Sequence, residues 1–149
     1  MESDLEIHYA SLKDLKPLRR LEKICFPMDA WPLLDMIGAL TMPQIVRIKA
    51  VDGDEVVAFI AGDIRASSKT GWIATICVHP DYRGLGLAKR LLAQCEQEMQ
   101  MPRVRLTVRE SNQEAIGLYR SRGYEQVGRW EKYYKGDEDG IVMEKMVEV

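Results

Sequence analysis

Residues 76–89, Ile76-Cys77-Val78-His79-Pro80-Asp81-Tyr82-Arg83-Gly84-Leu85-Gly86-Leu87-Ala88-Lys89, lead from an apolar run through a glycine-rich turn into a helical pattern. Trp72-Ile73-Ala74-Thr75-Ile76-Cys77-Val78 reads as a buried strand, which Pro80 ends. From Gly86 onward, Leu87, Leu91, Leu92, Cys95 and Met99 recur at helical spacing. The first N–H groups of such a helix have no partner within it, and its dipole favours an anion there. Gly84 and Gly86 leave the backbone bare, so a phosphate or pyrophosphate can reach the amides, with Lys89 a lesser contributor. A tight strand-to-helix turn without any ligand needs glycine as well. The stretch does not fit the P-loop pattern, and Gly84-Leu85-Gly86 lacks the third glycine of the dinucleotide fingerprint. Taken alone, it leaves both readings open.

Working outward from this turn, residues 5–9 alternate as a strand. Ser11 precedes Leu12, Leu15, Leu18 and Leu21, and Asp14 three places on makes a near capping box. The helix this opens runs to about Cys25, and Pro27 terminates it. Residues 30–40 form a second helix, with Pro32 in its first turn. Residues 44–51 and 56–64 form a hairpin around Asp52-Gly53, and Lys69-Thr70-Gly71 is the next turn. After the glycine-rich stretch, Pro102 breaks the helix and residues 103–109 alternate strictly. Asn112 caps a short helix carrying Ala115, Ile116, Leu118 and Tyr119, and Gly123 stops it. Residues 124–134 and 141–149 form a closing strand pair around the acidic turn Gly136-Asp137-Glu138-Asp139-Gly140. This order predicts an α/β (α+β) fold, a mostly antiparallel sheet with helices on both faces. No repeat, linker or change of composition interrupts it, so residues 1–149 read as a single domain.

The chain has 149 residues, 46% hydrophobic and 30% charged, which excludes a disordered or low-complexity protein. Its 21 Lys and Arg against 23 Asp and Glu give a net charge of −2, without the basic surplus of a nucleic-acid binder. The longest apolar run, Val56-Val57-Ala58-Phe59-Ile60-Ala61, falls well short of the roughly 20 residues that cross a bilayer. Met1-Glu2-Ser3-Asp4 is acidic where a secretory leader is basic. The expectation is a cytoplasmic monomer or homodimer with no membrane or nucleic-acid partner. Cys25, Cys77 and Cys95, joined only by His8 and His79, match neither a disulfide framework nor the spacing of a zinc site, so no metal is expected.

Arg83-x-x-Gly86-x-Ala88, following Val78-x-Pro80-x-Tyr82, resembles the acetyl-CoA pyrophosphate loop of the GNAT N-acetyltransferase superfamily. The resemblance continues through Val108-Arg109-Glu110-Ser111-Asn112, Ala115-Ile116-x-Leu118-Tyr119 and Gly123-Tyr124, covering roughly the C-terminal half. Cys25-Phe26-Pro27 with Trp31, and Tyr133-Tyr134 with Met143-x-Lys145, are similar to the branch that acetylates ribosomal-protein alanine and protein N-termini. The resemblance implies a sheet of about seven strands whose central pair splays apart. It implies that Ile76, Cys77 and Val78 flank the pantetheine arm of acetyl-CoA. Arg83, Gly84, Leu85, Gly86, Leu87, Ala88 and Lys89 would then hold the pyrophosphate, and Asn112 would touch the cofactor. By the same resemblance Tyr119 is the general acid that meets the departing CoA thiolate, while Phe26, Trp31, Tyr133 and Tyr134 line the substrate groove. Direct transfer from acetyl-CoA to an amine follows, with backbone amides near Val78 polarising the carbonyl.

One position departs from the pattern. Thr107 stands where the N-terminal acetyltransferases often present Glu or His, and a threonine hydroxyl accepts no proton at neutral pH. Glu110, Glu22, Asp29 and His79 are the remaining candidates for the base. An α-amine, with a pKa of about 7.7–8.0, is partly neutral at pH 7, whereas a lysine near 10.4 is almost wholly charged. A weak base therefore favours a protein or peptide N-terminus as acceptor. A small-molecule amine, a polyamine, a lysine side chain or a non-catalytic acyl-CoA-binding role are the alternatives. The acidic turn reads as a solvated hairpin tip, or as an attractant for a cationic amine.

Overall fold

The computed structural model describes residues 5–148. The acidic start 1–4 and Val149, expected to end the last strand, lie outside the described residues. Strand β1 (Leu5–Tyr9) is followed by Ser11, whose hydroxyl accepts from the Lys13 N–H while the Asp14 carboxylate accepts from the Ser11 N–H at 2.9 Å. The expected capping box is thus complete, and it opens on one 3₁₀ turn before helix α1 (Leu15–Cys25). Helix α2 (Leu33–Thr41) starts just after Pro32, which stands one place before the first turn rather than in it. Strands β2 (Ile45–Asp52) and β3 (Glu55–Arg65) make the hairpin, and β4 (Thr70–Val78) begins two residues earlier than its apolar run. Helix α3 (Leu87–Met99), strand β5 (Arg103–Arg109), helix α4 (Gln113–Ser121) and strands β6 (Glu125–Tyr134) and β7 (Glu138–Met146) complete the order.

The seven strands lie in the order β1-β2-β3-β4-β5-β7-β6. Every neighbouring pair is antiparallel except β4 and β5, which the crossover helix α3 joins in parallel. That parallel pair is short. Thr70, Gly71 and Trp72 face Arg103, Val104 and Arg105, and beyond them the strands part. The mostly antiparallel sheet and its splayed centre match the sequence expectation.

Alternation along β3 loads the two faces. Ala58 and Ile60 pack with Leu91, Leu92 and Cys95 of α3 and Ile116 of α4, while Phe59 and Ala61 pack with Leu18 and Leu21 of α1 and Met36 and Leu40 of α2. Helix α3 lies so close to the sheet that a Cβ on Gly62 would come within 2.7 Å of the Cys95 sulfur. Among the described residues, no helix is long and apolar enough to cross a membrane.

The acidic turn differs from its reading as a solvated tip. Glu138 and Asp139 belong to β7 rather than to the turn, and both carboxylates are engaged. Glu138 pairs with Arg109 at 2.7 Å, and Asp139 pairs with Arg129 at 2.8 Å. The Ser111 N–H and then Arg109 hold Glu138 below the usual carboxylate range, and the Lys132 N–H and then Arg129 do the same for Asp139. Their charge is therefore neutralised locally, and Asp137 is left at the turn.

Candidate active site

The gap between β4 and β5 has a polar edge. The His79 N–H donates to the Val57 carbonyl at 2.8 Å, toward β3. The Val78 carbonyl, on the other side of the same trans peptide, therefore points into the gap. There it accepts from the Cys25 thiol at 3.4 Å and from Arg83 Nε at 3.2 Å. Ile76, two residues back, presents its backbone to the same side. Because pairing with β5 ends at Trp72, these groups have no strand partner.

Beyond β4, the turn is anchored where the Tyr82 hydroxyl donates to the Asp52 carboxylate and the Asp81 N–H donates to His79 Nδ1. Gly84 and Gly86 adopt φ of +83° and +79°, a region that L side chains avoid. A Cβ at either would meet nothing within 4 Å, so backbone conformation alone already demands glycine here. The Arg90 N–H closes the first turn of α3 on the Gly86 carbonyl at 3.1 Å. The amides of Leu87, Ala88 and Lys89 precede that bond and remain free to bind an anion. Leu87 itself is buried in the core, whereas Arg83, Leu85 and Lys89 are exposed around the turn.

Opposite β4, residues 26–31 meet the β6–β7 hairpin across β5. Arg109 grips both Asp29 oxygens at 2.7 Å, pairs with Glu138, donates to the Lys135 carbonyl at 3.1 Å and lies over the Tyr134 ring. Removing it should loosen both walls of the groove at once. Arg109→Ala is expected to raise KM for the acceptor about tenfold, by the loss of charge-assisted bonds worth roughly 1.5–3 kcal/mol each, while acetyl-CoA affinity stays within twofold by calorimetry. Thr107 lies beneath the hairpin: a Cβ on Gly140 would approach its methyl to 2.8 Å and the Tyr133 ring to 3.2 Å. Trp72, Trp130, Tyr133 and Tyr134 continue as a ladder of ring contacts between 4.9 and 5.8 Å, capped by Arg65 over Trp72.

Tyr119, on α4, is buried with its ring edge-on to Tyr124. Burial alone pushes its phenol up to about 12, so it stays protonated at neutral pH. Asn112 caps α4 by accepting the Ala115 N–H at 3.2 Å. Of the base candidates, Glu110 is paired with Arg129 at 2.6 Å, Asp29 with Arg109, and His79 with the Asp81 backbone. Glu22 is different. It is buried, accepts the Trp31 N–H at 3.2 Å on one oxygen, and has no partner on the other.

Residues 15–124 match the sequence model of the acetyltransferase (GNAT) family. The chain belongs to that family. It is 32% identical over 109 residues to the catalytic subunit of the N-terminal acetyltransferase B complex of Arabidopsis thaliana, covering 69% of this chain and 63% of that protein. It is 33% identical over 110 residues to the N-alpha-acetyltransferase RimI of Mycobacterium tuberculosis, covering 72% of this chain and 69% of that one. In fold it resembles the ribosomal-protein-S18-alanine N-acetyltransferase from Escherichia coli, with a TM-score of 0.88 at 23% identity, covering 97% and 95% of the two chains. The NAA60 protein of Arabidopsis thaliana in complex with acetyl-CoA superposes with a TM-score of 0.83 at 22% identity, covering 96% and 98%.

The cosubstrate of this GNAT acetyltransferase is acetyl-CoA, and the site suits it. An extended arm bearing amides can pair with the open β4 edge, and the free amides of the α3 first turn suit a pyrophosphate. Of the residues singled out in the sequence, Ile76, Val78, Arg83 and the Gly84–Lys89 turn converge on one rim. The Asp29–Arg109–Glu138 bridge ties the 26–31 segment to the hairpin that carries Tyr133 and Tyr134, while Phe26 and Trp31 themselves pack against the core between α1 and α2. Cys77 lies in the sheet core on the α1 side, and Asn112 is engaged as a cap. The sequence reading missed the clamp made by Arg109, although strict alternation had placed Arg109 on the face of Thr107. It also missed the stacking of Trp72 on Trp130, which links β4 to β6 although two strands lie between them.

Proposed function

We propose that this acetyltransferase modifies the α-amine of a peptide or protein N-terminus. The observation that carries the reading is the place of Thr107, beneath the groove wall on β5, where no side chain on that strand face can take a proton. Its neighbours on that face, Arg105 and Arg109, are cations tied to Glu144 and to Asp29 and Glu138. Such a groove serves an amine that already gives up its proton near neutral pH, as an α-amine does. The relatives named as N-terminal and N-alpha acetyltransferases support the same acceptor class. The cytoplasm, where such termini meet acetyl-CoA, is the compartment this role requires.

In this reading the acceptor chain enters between residues 26–31 and the β6–β7 hairpin, with Phe26, Trp31, Tyr133 and Tyr134 against its first residues. Backbone N–H groups on the open edge of β4 polarise the thioester carbonyl. Tyr119 supports the departing thiolate. Its phenol, at about 12, lies well above a thiol near 8.5, so complete proton transfer costs roughly 5 kcal/mol and the hydroxyl acts chiefly as a hydrogen-bond donor. The test is a peptide carrying both a free N-terminus and an internal lysine, incubated with acetyl-CoA and sequenced by tandem mass spectrometry. Acetyl on the α-amine is expected; acetyl on the lysine alone would overturn the assignment.

A further inference from the structure

A GNAT enzyme with threonine at position 107 still has to dispose of the ammonium proton. Among the described residues, four side-chain nitrogen or oxygen atoms are buried without a hydrogen-bond partner, and Glu22 Oε2 is the one carboxylate oxygen of the four. An unpartnered buried carboxylate oxygen is costly, and a group kept in that state calls for an explanation. Glu22 also lies close enough to Cys77 of β4 for its charge to raise that thiol. It lies on α1 one turn before Cys25, whose thiol bonds to the Val78 carbonyl in the gap between β4 and β5. Its other oxygen is fixed by the Trp31 N–H, so the carboxylate is held in place between α1 and the segment before α2.

We propose that Glu22 is the base that receives the proton of the incoming α-ammonium, the task Thr107 cannot perform. The ammonium gives one proton to Glu22, and the freed nitrogen lone pair forms the new N–C bond. The C–S bond of acetyl-CoA breaks as the amide forms. The second nitrogen proton balances the CoA thiolate as thiol, and Glu22 returns its proton to solvent. The charged and titratable groups around Glu22 are Arg19 on the same helix, Cys25 and Cys77 toward the gap, and Arg83 reaching the same carbonyl as Cys25. Burial dominates over the Trp31 hydrogen bond and the Arg19 charge and raises the carboxyl to about 7. The base form therefore exists above that pH and is lost as pH falls through it. A base so placed is matched to an α-ammonium near 7.7–8.0 and poorly matched to a lysine near 10.4.

This inference rests on the N-terminal acetyltransferase reading, and its test separates the two. The measurement is kcat against pH for the wild type, with two saturating peptides whose α-amines differ by about one pKa unit. The expected acid limb lies near pH 7 and is the same for both peptides. Glu22→Gln, which keeps the Trp31 bond, should lower kcat by roughly 10²–10⁴ and abolish the limb, with acetyl-CoA affinity within twofold. Thr107→Glu placed in the Glu22→Gln background should recover at least tenfold. A wild-type limb that moves with the amine of the peptide, or a Glu22→Gln enzyme with wild-type kcat, would overturn the assignment. If the Gln variant does not fold, the two-peptide comparison on the wild type decides alone. No acetyl transfer to either peptide by the wild type would instead defeat the reading of an N-terminal α-amine as acceptor.

Discussion

Gly86→Val should erase the stabilisation that acetyl-CoA confers on the wild type. A ligand bound only by the folded chain raises its stability by about 2.7 kcal/mol at one hundred times Kd, and thermal melting reads that directly. The variant is expected to show no shift. Gly86 holds φ of +79° at the mouth of α3, where a β-branched residue costs roughly 1–3 kcal/mol of strain. The turn relieves that strain by moving, and the free amides of Leu87, Ala88 and Lys89 move with it. Because a Cβ there meets nothing within 4 Å, Gly86→Asn, which tolerates the left-handed region, should retain part of the shift. A Val variant that binds as tightly as the wild type would place the cofactor elsewhere.

Tyr119→Phe should lower kcat about 10²-fold, the lower end of the range for a positioned proton donor, with acetyl-CoA binding nearly unchanged. The phenyl ring keeps its edge contact with Tyr124. The melting temperature should therefore move by no more than a few degrees, which separates a role in the reaction from a role in the core. An unchanged kcat would return Tyr119 to packing.

Much of the fold was legible because local rules act where the sequence states them. Ser11 and Asp14 close their capping box, the 103–109 alternation yields β5, and Asn112 caps α4. Pro32 and the acidic turn went astray by one to three residues. Asp139 is drawn into the β7 ladder by Arg129 and the Lys132 N–H, and Glu138 by Arg109 and the Ser111 N–H, partners that sequence spacing does not reveal. The rim formed by the open β4 edge and the α3 turn was readable because its parts are contiguous from residue 76 to residue 89. The opposite wall was not, because its parts come from α1, the segment before α2, β5 and the β6–β7 hairpin. Asp29 and Arg109 lie eighty residues apart in the chain and 2.7 Å apart in the structure. Glu22 illustrates the same limit. As a residue in the sequence it resembles any helical surface charge, and only burial and an orphaned oxygen distinguish it.

The most direct test of the acceptor assignment is kcat/KM at pH 7 for two peptides, followed by thiol release from acetyl-CoA. One has a free N-terminus and no lysine; the other has a blocked N-terminus and one lysine. At pH 7 about a tenth or more of an α-amine is neutral, against roughly 0.04% of a lysine amine. The free-N-terminus peptide should therefore be preferred by more than about 10²-fold. Equal rates, or preference for the blocked lysine peptide, would contradict the account.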